Sequence, residues 1–183
     1  FIMITLGTGV GSAIVANGKM IYGHDGFAGE VGHTVVERDG RECGCGRKGC
    51  LETYSSATGI RRTALSLLKT NQTSSLLRDL KEEEIDGQTI CEAARKGDEI
   101  ALECLDLTAQ MLAIGVSNAV AVTSPKKVIF SGGLSKAGDL LLTPFKKYFE
   151  ENLYPVFRNK IVIELSALRE NDSAILGAAA LTF

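Results

Sequence analysis

The sequence predicts an α/β layered domain in which a hairpin-rich opening is joined to alternating strands and helices. Three observations carry that reading. Short β-branched runs punctuated by Gly7, Gly9, Gly11 and Asn17-Gly18 fill the first quarter. A long stretch of helical apolar spacing occupies the middle, and strand-like and helix-like patterns alternate after Pro125. With 183 residues, 45% of them apolar and 23% charged, the chain has the composition of a soluble globular protein and room for one well-cored domain of roughly 100–200 residues.

Residues 1–7 form the first expected strand and Ser12–Ala16 the second. Asn17-Gly18 then separates that run from Lys19–Tyr22, a strong hairpin signal because both central residues of a type I′ turn need positive φ. A glycine-rich stretch, Gly23–Gly32, leads to an expected strand at His33–Glu37. Beyond a cysteine-rich loop, Leu51–Ser56 and Thr58–Lys69 carry helical spacing, with Thr58 as N-cap and Ile60, Ala64, Leu67 and Leu68 on one face. Residues 70–88 read as a solvated helical excursion with an acidic cluster at Glu82, Glu83 and Glu84. Asp98–Thr123 reads as one long helix, its Leu105, Ala109, Leu112, Val116 and Ala119 spaced 4, 3, 4 and 3 apart, stopped by Ser124-Pro125. Lys127–Phe130 is a short buried-type strand running into Ser131-Gly132-Gly133, followed by a helix over Leu134–Leu153, a strand at Lys160–Glu164 and a last helix, Ser173–Leu181, capped by Asp172.

Twenty Lys and Arg against 22 Asp and Glu give a net charge of −2, with no long basic run. That excludes a chain built for non-specific nucleic-acid or membrane-surface binding, since both rely on concentrated positive charge. The longest apolar stretch, Met111–Val122, is broken by Ser117 and Asn118 and falls short of the roughly 20 residues that span a bilayer. Nothing near Phe1 reads as a secretory signal, so a cytoplasmic setting is expected. Because the chain opens on Phe inside a β-like run, an upstream segment is expected to precede it.

Four groups of residues could carry chemistry. Leu6-Gly-Thr-Gly-Val-Gly11 lacks the Lys of a P-loop and is followed by strand rather than helix, so it is neither a P-loop nor a Rossmann turn. It reads as a tight hairpin or as a backbone cradle for phosphate, with the Thr8 hydroxyl as an added donor. His33 with Cys43, Cys45 and Cys50 offers one imidazole and three thiolates, enough for a closed tetrahedral zinc site in a surface loop that has no apolar filling of its own, although the Cys-x-Cys spacing is shorter than usual and reactive thiols or reduced core cysteines are the alternatives. Cys91 and Cys104 fall on apolar helix faces and read as core residues. Glu30, His33 and Glu52 could accept hydrogen bonds from sugar hydroxyls, or Glu52 could simply favour a helix N-terminus while Glu30 stays solvated. Gly132-Gly133, at a strand-to-helix junction, reads as a plain turn or as a place where a nucleotide approaches the backbone.

In this order, Leu6-Gly-Thr-Gly-Val-Gly-Ser12, Gly29-Glu-Val-Gly-His33, Cys43-Gly-Cys-Gly-Arg-Lys-Gly-Cys-Leu-Glu52 and Ser131-Gly-Gly133 resemble the ROK family of sugar kinases and sugar-responsive repressors, over essentially the whole chain. The resemblance implies an actin-like ATPase, ribonuclease H-like fold, of which residues 1–183 would be the large C-terminal lobe with its zinc-binding loop. It implies that Gly7, Thr8 and Gly9 line the nucleotide phosphates, that Gly132 and Gly133 approach the adenosine, and that Glu30, His33 and Glu52 bind sugar hydroxyls. His33 would also join Cys43, Cys45 and Cys50 on a structural zinc. The complete protein would transfer the γ-phosphoryl group of ATP, with Mg²⁺, to a hexose hydroxyl, in glucokinase fashion at the 6-position. Self-association is implied as well. Kinases of the family carry, before the segment corresponding to Phe1, an Asp-x-Gly-x-Thr loop and an Asn-Asp pair whose Asp acts as base. No Asp-x-Gly-x-Thr occurs in these residues, so no catalytic base is assigned, and the lobe alone is expected to turn over poorly or not at all. The alternative is the sugar-sensing lobe of a repressor, with nucleic-acid binding supplied by an upstream helix-turn-helix. A zinc-binding interaction module would leave the glycine turn and the glutamates unused.

Overall fold

Alternation of apolar and polar residues builds the central sheet. In the computed structural model, which describes residues 1–168, Ile2, Ile4 and Leu6 of strand β1 (Ile2–Leu6) point into the core while Thr5 faces outward. Strand β2 (Val10–Ala16) returns antiparallel to β1 in the register Ile2↔Ile14 to Leu6↔Val10. Asn17 and Gly18, at φ 52° and 74°, make the expected hairpin turn into β3, which covers only Lys19–Met20 of the longer run anticipated there.

The next segment departs from expectation. His33–Glu37 is no strand: Val31–His33 forms a 3-10 turn, and only Val35 makes an isolated bridge, to Cys50. The β-branched run is extended, but its partner is a curling loop that offers a single rung. Helix α1 (Glu52–Ser55) is a single turn, and α2 (Ala57–Thr70) is capped by Ser56, whose hydroxyl accepts from the Gly59 N–H at 2.9 Å. The expected cap, Thr58, sits inside the first turn and donates instead to the Thr8 carbonyl at 2.8 Å.

In place of the helical excursion expected over residues 70–88 stand two 3-10 turns, Leu76–Asp79 and Glu82–Glu84, with the start of a helix at Gly87; buried Leu77 and Ile85 anchor the segment to the core. Helix α3 (Gly87–Arg95), which sequence reading passed over, starts from a capping box in which Asp86 accepts from the Thr89 N–H at 2.8 Å. Helix α4 (Glu99–Thr123) runs between the Asp98 cap and Ser124, which turns left-handed at φ 47° before Pro125. Strand β4 (Lys127–Ser131) inserts parallel beside β1. A 3-10 turn at Gly133–Ala137, helix α5 (Asp139–Asn152) and strand β5 (Val162–Leu165) follow. The helical run expected over Leu134–Leu153 is thus split at Gly138, whose φ of 59° and ψ of −131° no helix accepts. The expected last helix, Ser173–Leu181, lies outside the described residues.

The sheet order is β3-β2-β1-β4-β5, with the hairpin at one side and parallel pairing on the other. Leu105, Ala109, Leu112 and Val116 of α4 are buried, as the 4-3-4-3 spacing predicts, and α4 packs against α2, α3 and α5. Phe130 meets Phe145 edge-on at 5.0 Å, and Phe145 stacks on Phe149 at 5.2 Å. By length and composition α4 could cross a membrane, but 61% of its most apolar window is buried inside the domain, as befits a core helix.

Candidate functional site

The glycine turn between β1 and β2 is fixed from behind by the start of α2. Ala57 donates its N–H to the Gly7 carbonyl at 2.8 Å, and the Thr58 hydroxyl holds the Thr8 carbonyl. With both carbonyls tied back and the Gly7 N–H closing the turn onto the Gly9 carbonyl at 3.0 Å, the donors that a phosphate could use are the N–H groups of Thr8 and Gly9 and the Thr8 hydroxyl. Gly132 closes the opposite side. Its φ of 89° is left-handed, and a Cβ there would stand 2.5 Å from the Leu6 carbonyl oxygen, so only glycine lets the end of β4 lie this close to β1. A cavity of about 580 Å³ opens between the two glycine segments, lined by Gly7, Thr8 and Gly133 and, from α3, by Gln88, Cys91 and Glu92. The structure therefore brings Gly7, Thr8 and Gly133 to one cavity, whereas Gly9 lines a second cleft with Thr8 and Glu52.

The cysteine loop folds on itself through backbone bonds from Cys43 N–H to Arg47 O and from Gly49 N–H to Arg41 O, at 2.9 and 2.8 Å. Gly46 and Gly49 turn it at φ 85° and 75°. The donor atoms of His33, Cys43, Cys45 and Cys50 all lie within 4.8 Å of one another, with Cys43 Sγ 3.6 Å from His33 Nδ1 and Cys45 Sγ 3.6 Å from Cys50 Sγ. A tetrahedron of zinc–sulfur bonds near 2.3 Å has edges of about 3.8 Å, so these four groups fit that ion. The loop treats the thiols unequally. The Arg47 backbone N–H, then its guanidinium, draw Cys45 down to about 6, whereas burial pushes Cys50 up to about 12. A dication would draw all three toward thiolate.

Glu52 opens α1 and aims back at the hairpin, where its Oε2 accepts the Val10 N–H at 3.0 Å. The contact is so close that a Cβ on Gly9 would overlap that oxygen. Glu30 is exposed and begins the 3-10 turn whose third residue is His33, with the His33 N–H donating to the Glu30 carbonyl at 3.1 Å. Leu51 donates its N–H to Thr34 O at 2.9 Å, so His33 and Glu52 flank one backbone rung. The same geometry brings Glu52 to the glycine turn. Ser12, not singled out in the sequence, anchors the Glu30–His33 turn by accepting the Val31 N–H at 3.0 Å and donating to the Gly29 carbonyl. Its place in Leu6-Gly-Thr-Gly-Val-Gly-Ser12 was the available signal.

The model of the ROK family matches residues 1–183. A glucokinase of Halalkalibacterium halodurans is 40% identical over 178 residues, which is 96% of this chain and 54% of that protein. The DNA-binding transcriptional dual regulator NagC of Escherichia coli is 33% identical over 180 residues, 98% of this chain and 43% of the regulator. A solved ROK family glucokinase from Streptomyces griseus, in complex with glucose and AMPPNP, aligns with a TM-score of 0.88 at 34% identity, covering 98% of this chain and 59% of that one. The chain spans about half the length of the curated relatives it matches.

Proposed function

The chain belongs to the ROK family, and from that membership we propose that the protein of which it is a part transfers the γ-phosphoryl group of ATP to a hexose hydroxyl, at the 6-position, in glucokinase fashion. Its fold is the actin-like ATPase fold of the ROK sugar kinases it resembles in structure. Residues 1–183 would supply the C-terminal lobe. The observation that carries the reading is the bond between Glu52 and Val10, because it joins a carboxylate suited to sugar hydroxyls to the turn suited to phosphate. Phosphoryl transfer rests on holding those two partners side by side.

In this reading Gly7, Thr8 and Gly9 cradle the phosphates, and Gly132 and Gly133 border the adenosine. Glu30, His33 and Glu52 hold the sugar. His33, Cys43, Cys45 and Cys50 would hold a structural zinc, whose four protein ligands leave no open position for chemistry. With Nδ1 turned to the cysteines, the His33 ring would keep Nε2–H to donate to a sugar hydroxyl. Mg²⁺ would offset phosphate charge when ATP is bound. The proton of the attacking hydroxyl is assigned to no residue here; an aspartate of the complementary lobe would take it, so the chain alone turns over poorly. A cytoplasmic setting and self-association go with this reading.

The test is ADP release by the parent polypeptide with ATP, Mg²⁺ and a panel of glucose, N-acetylglucosamine, N-acetylmannosamine, mannose and fructose. Sugar-dependent ADP is expected. A silent panel with sugar still bound would overturn the kinase reading in favour of the second one, a sugar-sensing lobe of a transcriptional repressor, which the 33% identity to a DNA-binding regulator supports.

A further inference from the structure

Arg41, a half-buried cation at the root of the cysteine loop, has no part in the roles assigned so far. Its Nη1 donates to the Thr53 carbonyl at 2.9 Å and to the Gly59 carbonyl at 3.1 Å, and its Nη2 donates to the Thr63 hydroxyl at 2.9 Å. The guanidinium carbon lies 4.5 Å from the centroid of the Tyr54 ring, and the Arg41 N–H donates to the Tyr54 hydroxyl at 2.9 Å. All three side-chain acceptors are neutral oxygens, so the residue serves as a rigid fork of donors more than as a counter-charge.

That fork meets a need of α1. A one-turn helix cannot satisfy its own carbonyls, and the N–H that would reach Thr53 O in a continuous helix, that of Ala57, is committed to Gly7 O. Arg41 supplies the missing donor. On the other side the Cys50 carbonyl accepts from both the N–H and the hydroxyl of Thr53, at 3.0 and 2.8 Å. The short helix that carries Glu52 is therefore gripped by residues from the start and the end of the cysteine loop.

We propose that Arg41 is a positioning residue for Glu52: through Thr53 and Gly59 it sets the direction in which α1 presents its carboxylate to Val10 and to substrate. The substrate half of this inference rests on the sugar-site reading above; the Val10 half does not.

The test compares Arg41→Ala and Arg41→Lys with wild type and with Glu52→Ala, first by amide exchange in the 183-residue chain. Exchange of the Val10 N–H is expected to speed up by about three- to tenfold in both Arg41 variants, the factor one lost hydrogen bond carries, while the other β1–β2 amides hold steady. In the Arg41→Ala/Glu52→Ala pair it should rise no further than in Glu52→Ala alone. In the parent polypeptide, KM for sugar is expected to rise about tenfold with KM for ATP unchanged. Uniform acceleration across the hairpin, an unchanged Val10, or full restoration by Lys would each overturn the proposal, the first two by leaving Arg41 a general support and the third by removing the need for a fork. Should the parent show no sugar-dependent ADP, the kinase reading fails, and Val10 exchange still decides the role of Arg41.

Discussion

Glu52 holds the hairpin and, in the function proposed above, also holds the sugar. A carboxylate offers about four acceptor directions, and the bond to Val10 uses one of them, leaving the rest for hydroxyls. Replacing it with Ala removes a charge-assisted acceptor from a partly buried amide, and we expect a loss of about 1.5–3 kcal/mol in urea unfolding, together with at least tenfold weaker sugar binding by the parent in calorimetry. Full stability in Glu52→Ala would mean that the Val10 amide finds water instead. Gly132 tests the approach of β4 to β1. Ala at that position must take a left-handed φ and push against the Leu6 carbonyl, so a loss of about 2–4 kcal/mol is expected; a loss below about 0.5 kcal/mol would show that β4 can slide away from β1 at little cost.

Among the elements, the cysteine loop makes the sharpest prediction. The purified chain should carry about one zinc, and stripping it with a chelator should lower the melting temperature, because two of the four ligands, Cys43 and Cys50, are buried. Metal-free protein that melts where the loaded protein does would sink the assignment. For α4 the expectation is plain burial: Leu112→Ala should cost about 2–5 kcal/mol in denaturant unfolding. These two elements were legible in the sequence because their signals are local, a 4-3-4-3 apolar spacing ended by Ser124-Pro125 and a cluster of soft ligands among glycines. Helix α3 was not: Ile90, Cys91, Ala93 and Ala94 do form a buried face, but the run is only nine residues long, opens on Gly87, and its capping box uses Thr89 in place of Glu or Gln. Nor was the bond from Glu52 to Val10, which spans 42 residues of chain. The choice of Ser56 over Thr58 as cap shows the same limit: both residue types cap helices, two positions apart in the chain, and the Thr58 hydroxyl is instead engaged by the distant Thr8 carbonyl.

For the whole molecule, the buried side chains of β1, β4 and helices α2 to α5 form one hydrophobic cluster, so thermal unfolding followed by far-ultraviolet dichroism and by release of thiols to a colorimetric reagent should give coincident transitions. A thiol transition that precedes the dichroism change by several degrees would show that the cysteine loop melts as its own unit. The parallel pairing of β1 with β4 has a further consequence, for synthesis. Ile2 meets Val128 across 126 residues of chain. On a ribosome adding about 5–20 residues per second, β4 is made roughly 6–25 s after β1. Throughout that interval β2 can cover one edge of the nascent hairpin while the edge meant for β4 stays open to other chains, so the yield of folded protein in a cell depends on how well that edge is shielded during translation.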